Sequence, residues 1–419
     1  MLRSMFSAIS GLRAHQTKMD TVANNIANVN TVGFKTQNTV FETTLTQVLR
    51  SGKSPDGLEG GSNPAQVGLG VKLAAITTDF GQGKTQNTGR ALDFMIQGDG
   101  FFVTEADGQQ LYTRAGSFTF DGSGKLITAD GARVQGWAAD ASGVVNTNGA
   151  LGDLAIQYGA ALPPNASTSA TLSRNVQYVA GTTGNSVSTV ATLYDEAGTA
   201  QRMVLTYTQA ATSAGANSDW TLTVANEKTP NTPIVSTTVS FPGGQNPTFG
   251  AVTNGTSSGS AADSVLTVAM PWGDVDFDMS QVTAFAAGTP VATTKQDGYG
   301  SGSLQSFSLL EDGTITGVYT NGERRSVGKL ALATFDNPSG LVNMGNTSYS
   351  KGDNSGVALI GTAGNGSLGT LTSGALEMSN VDLSEEFTGL IIAQRGFQAN
   401  SRVITASDEL LQDLVNLKR

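Results

Sequence analysis

Apolar residues recur every three or four positions at both ends of the chain, and this pattern is largely missing between them. The N-terminal row consists of Leu2, Met5, Ile9, Leu12, Met19 and Ile26. The C-terminal row consists of Leu383, Phe387, Leu390, Phe397, Ile404, Leu411 and Val415. This heptad spacing predicts amphipathic helices that pack lengthwise on other helices. We therefore expect the two ends to pair with each other and then with neighbouring copies of the chain.

The stretch between the helices predicts mainly-β structure. Short apolar runs with glycine-containing turns begin at Val71 and resume after about residue 295, where Asp312-Gly313 and Asn321-Gly322 are typical hairpin turns. Between these stretches, Ser, Thr, Ala, Gly and Asn dominate and indicate a separate β domain. The predicted fold is therefore multidomain, with an outer β domain inserted into an inner one.

The predicted boundaries follow from these changes in composition. The terminal helices form a coiled-coil-like inner domain from residues 1–30 and 373–419, and residues 31–70 and 355–372 are linker segments. The inner β domain comprises 71–149 and 292–354, and the inserted outer domain comprises 150–291. Asp382 and Glu385 match a capping box at the start of the second helix, and Lys418 and Arg419 suit its last turn.

A face of small residues runs along the second helix. It contains Gly389, Ala393 and Gly396. Each glycine inside a helix costs ~1 kcal/mol relative to alanine, which favours an interface where another backbone comes close. Gln394, Ser401 and Asp408 interrupt the apolar row, which favours contacts with neighbouring copies. The alternative is an intramolecular two-helix hairpin that uses both apolar stripes as its core.

Composition and charge exclude several classes of function. The net charge of −10 opposes nucleic-acid binding, and the absence of cysteine excludes thiolate chemistry and disulfides. His15 is the only histidine, so zinc sites of the usual ligand types and Ser/His nucleophilic sites are excluded. We predict no enzyme, no cofactor and no catalytic or metal-binding residue.

Two short motifs resemble ligand sites without completing them. Residues 81–85 end like a phosphate-binding loop, but the first glycine of that motif is replaced by Thr78 and no helix is predicted to follow. Residues 121–124 resemble the start of a calcium loop but lack its later ligands. Both predict turns. No stretch of 18 apolar residues and no typical signal peptide is present, so we expect no membrane insertion and no cleaved signal.

Four segments resemble bacterial flagellar proteins. Residues 6–35 and 379–417 resemble the N- and C-terminal signatures of the flagellar rod and hook axial protein family. Residues 67–103 and 112–137 are similar to its hook and distal-rod members. Distal-rod members lack a large inserted domain, so the predicted insert favours the hook members. A distal-rod-like protein, a hook–filament junction protein and a secreted β-rich adhesin or binding module remain the alternatives.

The resemblance implies a structural subunit of the hook, a curved hollow polymer that acts as a universal joint and forms part of the export channel. It implies an extracellular location at the flagellum, reached by type III export. Phe41 and Leu45 fit a short export motif. The implied partners are the chain itself, the distal rod protein, the hook cap, the hook–filament junction protein, the hook-length control protein and the export gate.

Overall fold

The fold is that of a computed structural model of the chain. It describes residues 2–54, 61–179, 182–210, 218–254, 257–260, 264–286, 288 and 290–416. Within these ranges neither helix combines the length and the hydropathy that a membrane crossing needs.

The described residues contain one long helix near each end of the chain and 32 strands between the two helices. Helix α1 spans Leu2–Ala27 and α2 spans Leu383–Asn416. Strands β1 to β12 are Gln37–Thr43, Thr46–Arg50, Ala65–Gly68, Val71–Thr78, Thr85–Asn87, Phe94–Gln97, Phe101–Ala106, Gln109–Thr113, Phe118–Phe120, Leu126–Thr128, Arg133–Ala138 and Gly152–Asp153. Strands β13 to β23 are Ala161–Leu162, Ser169–Asn175, Ser186–Tyr194, Ala200–Gln209, Ser218–Asn226, Val235–Phe241, Thr248–Asn254, Ser257–Ser260, Val265–Met270, Gly273–Thr283 and Ala292–Gln296. Strands β24 to β32 are Gly302–Leu309, Thr314–Tyr319, Arg324–Leu330, Leu332–Thr334, Val342–Gly345, Ser348–Ser350, Leu359–Gly361, Thr370–Ser373 and Ala375–Glu377.

The ends of both helices follow local sequence signals. Asp382 precedes α2, and its carboxylate accepts a hydrogen bond from the amide of Ser384 at 2.8 Å. This confirms the predicted N-cap. Helix α1 ends at Ala27, and Gly33 then adopts a φ of 70°, which glycine takes up without strain. Lys418 and Arg419, predicted in the last turn of α2, lie outside the described residues.

The chain divides into two compact units. The first contains residues 1–157, 307–316 and 325–419, and the second contains 158–306 and 317–324. The second unit begins at Tyr158 rather than at residue 150, because Leu154 and Ile156 are buried in the first. The amide of Leu126 donates a hydrogen bond to the carbonyl of Leu154 at 2.9 Å, which ties this segment to the first unit. The layered roles of the domains stay a prediction.

An aromatic core stabilises the β part of the first unit. Strands β26, β11, β7, β8, β29 and β28 lie side by side in that order. The β7–β8 hairpin turns at Asp107 and Gly108, whose φ values of 51° and 75° are those of a type I′ turn. Tyr112 on β8 packs edge-on against Phe335 with ring centroids 4.8 Å apart. The mainly-β prediction for this part of the chain is confirmed.

Two five-stranded sheets form the second unit. One has the order β20, β21, β22, β14, β23, and the other runs β15 to β19 in sequence order. Alternate residues of β16 and β17 are buried, which is the period of a strand with one covered face. Trp220, Tyr207 and Phe277 are fully buried in its core.

The segments predicted as linkers contain strands. β1 pairs with β4 and β2 pairs with β3, all antiparallel, within or beside residues 31–70. β30 pairs with β27, and β31 with β6, in the C-terminal segment. All residues of β2 are exposed, so this strand lacks the apolar alternation by which a sequence reveals a strand.

Candidate functional site: the terminal helical hairpin

Both ends of the chain meet in an antiparallel helical hairpin, which confirms the predicted pairing of α1 with α2. Four residue pairs mark its register: Gly11 with Asn400, His15 with Gly396, Val22 with Gly389, and Asn25 with Glu386. Steps of 4, 7 and 3 residues forward along α1 correspond to the same steps backward along α2. These steps keep the contacts on one face of each helix.

Glycines make the closest contacts between the helices. A Cβ atom added at Gly11 would lie 2.8 Å from Nδ2 of Asn400. One added at Gly396 would overlap the imidazole of His15. Each of these glycines therefore accommodates a larger side chain of the opposite helix, which accounts for their presence in helices despite a cost of ~1 kcal/mol each.

The buried row of α1 lies one residue before the predicted row. Ala8, Gly11, Val22 and Asn25 are buried. The predicted residues Met5, Ile9, Leu12, Met19 and Ile26 are half-buried, and the side chain of Leu2 lies outside the described residues. The helix contact explains the shift, because the face of α1 that lies against α2 carries Gly11, which leaves room for the side chain of Asn400.

The predicted residues on α2 differ in how deeply they are buried. Ala393 is buried, and the half-buried group is Gly389, Leu390, Gly396, Phe397, Ile404 and Leu411. Leu383 and Phe387 are exposed, and the side chain of Val415 lies outside the described residues. The small-residue face lies against α1 of the same chain, as in the intramolecular hairpin that the sequence left as the alternative. Its predicted contact with a neighbouring copy stays a prediction, because heptad spacing is the same for intrachain and interchain partners.

An apolar ridge on α2 has no partner in the described part of the chain. It consists of Leu383, Phe387 and Ile391, which are four residues apart and 40%, 50% and 56% exposed. Residues at this spacing lie on one face of a helix. We call these three residues the α2 ridge. An exposed row of large apolar side chains on a helix indicates an interaction surface.

A groove lies beside α1, between this helix and β4. It has a volume of about 420 Å³, and Phe6, Ile9, Arg13, Val71 and Leu73 are among its lining residues. Phe6 is 67% exposed. We call this the α1 groove. It contains Ile9, a residue of the predicted apolar row that the contact with α2 leaves partly accessible.

Polar side chains fasten the base of the hairpin. Nδ2 of Asn25 donates to the carboxylate of Glu386 at 2.8 Å and to the carbonyl of Gln37 at 2.9 Å. The carboxamide oxygen of Asn380 accepts from the amide of Thr36 at 2.8 Å. Sequence patterns missed these residues. The Asn-rich run that contains Asn25 begins in the last turn of α1 and indicates only the end of a helix.

We expect Glu386→Gln to stabilise the hairpin at neutral pH. Burial raises the pKa of Glu386 above its ordinary value, and the nearby Glu385 adds to this effect, while Asn25 and Lys18 oppose it. The folded state therefore binds this proton more tightly than the unfolded chain, and stability falls as the pH rises from about 4.3 through the raised pKa. Glutamine retains an oxygen that accepts from Asn25 but carries no charge.

The measurement is thermal unfolding of the helices by circular dichroism at pH 4 and pH 7. Glu386→Gln should raise the melting temperature by a few degrees at pH 7 and much less at pH 4. Glu385→Gln is the matched control at an exposed neighbour and should have a smaller effect. Equal gains at both pH values would contradict the assignment of the effect to ionisation.

The weak ligand motifs have structural roles. The amide of Gly83 donates to the carboxylate of Glu377 at 2.8 Å, and strand β5 follows, where a phosphate loop requires a helix. Asp121 accepts from the amides of Ser123 and Lys125 in the turn between β9 and β10. Residues 121–124 form a turn, as predicted, whereas residues 81–84 form an irregular segment that leads into β5.

The two residues of the predicted export motif lie at the end of β1 and just after it. Phe41 is half-buried, and its ring packs edge-on against His15 with centroids 6.4 Å apart. Leu45 is 81% exposed. The structure thus brings Phe41, but not Leu45, to the helical hairpin.

The fold and the terminal hairpin place the chain among the flagellar axial proteins. A family model described as "Flagella basal body rod protein" matches residues 5–35, within α1 and the turn that follows. One described as "Flagellar basal body rod FlgEFG protein C-terminal" matches residues 372–417, which contain α2. A third, "Flagellar hook protein FlgE/F/G D1 domain", matches residues 95–175.

Full-length relatives narrow this class to one family. The flagellar hook protein FlgE of Borreliella burgdorferi is 37% identical over 100% of both chains. That of Escherichia coli is 33% identical over 98% of this chain and 99% of its own. The fold is similar to the crystal structure of Helicobacter pylori flagellar hook protein FlgE2, with a TM-score of 0.50 and 14% identity over 70% of this chain and 100% of that chain. The chain belongs to the flagellar hook protein family, which confirms the resemblance and favours the hook over the alternatives.

Proposed function

We propose that the chain is a structural subunit that builds the flagellar hook by association of its helical hairpins. The observation that carries this proposal is the α2 ridge, which stays exposed after α1 and α2 have paired. Burial of apolar surface drives most protein association, at about 25 cal/mol per Å². A ridge repeated in every copy provides the same contact for each subunit added to a polymer.

The α1 groove is the proposed receptor for the α2 ridge of the next copy. Its apolar lining residues Phe6, Ile9, Val71 and Leu73 match the chemistry of Leu383, Phe387 and Ile391. The groove and the ridge are different surfaces of one chain, so the contact is heterologous. Repeated heterologous contacts generate rings or helical polymers, as a tube requires.

The remaining roles are proposed from the family. Helical hairpins would line the central export channel, the β part of the first unit would surround them, and the second unit would lie outermost. Outer contacts through small polar side chains would let neighbouring subunits slide as the hook bends and transmits torque. Phe41 and Leu45 would be read by the export gate before the subunit folds. The rod, the cap, the junction protein and the length-control protein would contact the assembled tube.

We expect Ile391→Asp to abolish polymer formation while the subunit still folds. Ile391 is 56% exposed, so a carboxylate there is hydrated in the free subunit but would be buried without a partner in the polymer. Electron microscopy and sedimentation of polymerised protein measure the outcome, and thermal unfolding verifies the fold. Val144→Asp, at a residue that is 62% exposed in the β part of the first unit, is the control and should polymerise. Normal tubes from Ile391→Asp would refute the role of the ridge.

A further inference from the structure

Three charged side chains from distant parts of the chain meet in the interior of the first unit. Nζ of Lys35 lies 2.6 Å from Oε1 of Glu377, and NH1 of Arg114 lies 3.4 Å from Oε2 of the same carboxylate. None of the three side chains is more than 2% exposed. Charged groups are rarely buried unless they are paired, so this cluster has a role that a surface ion pair does not.

Backbone groups complete the coordination of the cluster. Lys35 also donates to the carbonyl of Gly81 at 2.8 Å, and Glu377 accepts from the amide of Gly83 at 2.8 Å. Arg114 donates to the carbonyl of Gly98 at 2.9 Å. Each charge is thus held in one geometry by a second partner on the first unit.

The balance of charge inside the cluster depends on Glu377. Two cations contact this single carboxylate, and Asp79 and Asp99 act on them only through space. Burial lowers the pKa of Lys35, and the charge of Glu377 opposes this shift. Without Glu377, Lys35 would keep only the carbonyl of Gly81, and Arg114 only the carbonyl of Gly98 and the ring of Phe101, whose centroid lies 5.2 Å from the guanidinium carbon. That state is strongly unfavourable in a medium of low dielectric constant.

The three residues belong to three separate segments. Lys35 lies between α1 and β1, Glu377 ends β32 shortly before α2, and Arg114 follows β8 in the aromatic part of the unit. The amide of Gly33 also donates to the carbonyl of Glu377 at 2.8 Å. The cluster therefore lies where both helices of the hairpin join the β structure.

We infer that Lys35, Arg114 and Glu377 form a charge lock that makes docking of the two terminal segments on the β part of the first unit mutually dependent. The N-terminal segment cannot bury Lys35 beside Arg114 unless the C-terminal segment supplies Glu377. The helical hairpin is thus held to its β unit as one cooperative body, and neither helix is attached alone. The lock consists of contacts within one chain and is separate from the proposed contact between copies.

Amide hydrogen exchange of the full-length chain tests the lock. Glu377→Gln should accelerate exchange at the amides of Thr36 and Gln37 by about a hundredfold or more, although they lie in the other terminal segment. The amide of Thr36 donates to Asn380 and that of Gln37 to Asn25, so they report on contacts at the base of the hairpin. The amide of Asp79, which donates to the carbonyl of Thr36 at 2.8 Å, reports on docking of the N-terminal segment. The amide of Met378, which donates to the carbonyl of Lys84, reports on the C-terminal segment.

A second variant separates charge from packing. Lys35→Met/Arg114→Met/Glu377→Gln removes both cations together with the anion, and it should restore protection at Thr36 and Gln37 to within about tenfold of the wild type. The triple variant also provides the test if Glu377→Gln fails to fold. Glu42→Gln breaks an exposed ion pair with Lys72 and should change nothing at these amides.

Two results would overturn the inference. In the first, Glu377→Gln opens the C-terminal segment around Met378 while Thr36 and Gln37 keep their protection. In the second, the triple variant exchanges as fast as Glu377→Gln, which would show that lost packing rather than unbalanced charge opens the site.

Discussion

Replacing Gly396 by leucine is expected to separate α1 from α2 and to prevent polymerisation, while both β parts stay folded. Any Cβ at this position overlaps the imidazole of His15, and leucine adds three more carbon atoms to the same contact. Overpacking costs ~1–3 kcal/mol in cores that can adjust, and two helices in direct contact have little room to do so. The gain in helix propensity, roughly 1 kcal/mol, acts in the opposite direction and is smaller than the upper end of that cost.

The three tryptophans make the measurement selective. Trp137, Trp220 and Trp272 all lie in the β parts of the chain, so their fluorescence reports unfolding there and not in the hairpin. For Gly396→Leu we expect helical circular dichroism to melt earlier and the fluorescence transition to stay unchanged. Electron microscopy should show no tubes.

Gly389 provides the matched control. A Cβ there would lie 3.8 Å from Cγ2 of Val22, which is ordinary van der Waals contact. Gly389→Ala should therefore be neutral or stabilising, whereas Gly396→Ala should destabilise the hairpin. His15→Ala in the Gly396→Ala background should recover part of the loss. A normal hairpin in Gly396→Leu would show that His15 moves aside and that the glycine is not required for the helix contact.

Replacing residues 163–301 by an Asn-Gly turn is expected to remove most of the second unit and leave a folded, polymerising subunit. Leu162 on β13 and Gly302 on β24 are antiparallel partners, so a two-residue turn can join them as a hairpin. The hairpin α1–α2, the α2 ridge and the α1 groove are all in the first unit. We expect a single remaining tryptophan transition, from Trp137, and tubes of altered curvature or stiffness.

A deletion at the boundaries predicted from the sequence is the comparison. Removing residues 150–291 also removes Leu154 and Ile156, each 2% exposed in the first unit. Loss of two such side chains should destabilise the first unit by several kcal/mol, because truncation of one buried leucine typically costs about 2–5 kcal/mol. If replacement of residues 163–301 yields folded subunits that form no polymer, the proposed outer position of the second unit is wrong.

The sequence by itself determined the elements whose signals are local. Heptad spacing predicted α1 and α2 to within a few residues, because a helix with one covered face repeats its apolar positions along the chain. Asp382 was recognisable as an N-cap, and Asp312-Gly313 as a hairpin turn, since these residue types satisfy or permit a particular backbone geometry.

Only the tertiary structure decided which face of α1 is buried and how the ends are fastened. Hydrophobicity favoured Ile9 and Leu12, but the close approach of the helices selects Ala8 and Gly11, and the closeness of two backbones is a property of the packed pair. Strands β1 to β3 form through pairing with partners, and the fully exposed β2 carries no apolar alternation of its own. Lys35, Arg114 and Glu377 look like ordinary surface charges in the sequence. They become a buried cluster only because the fold brings together positions up to 342 residues apart.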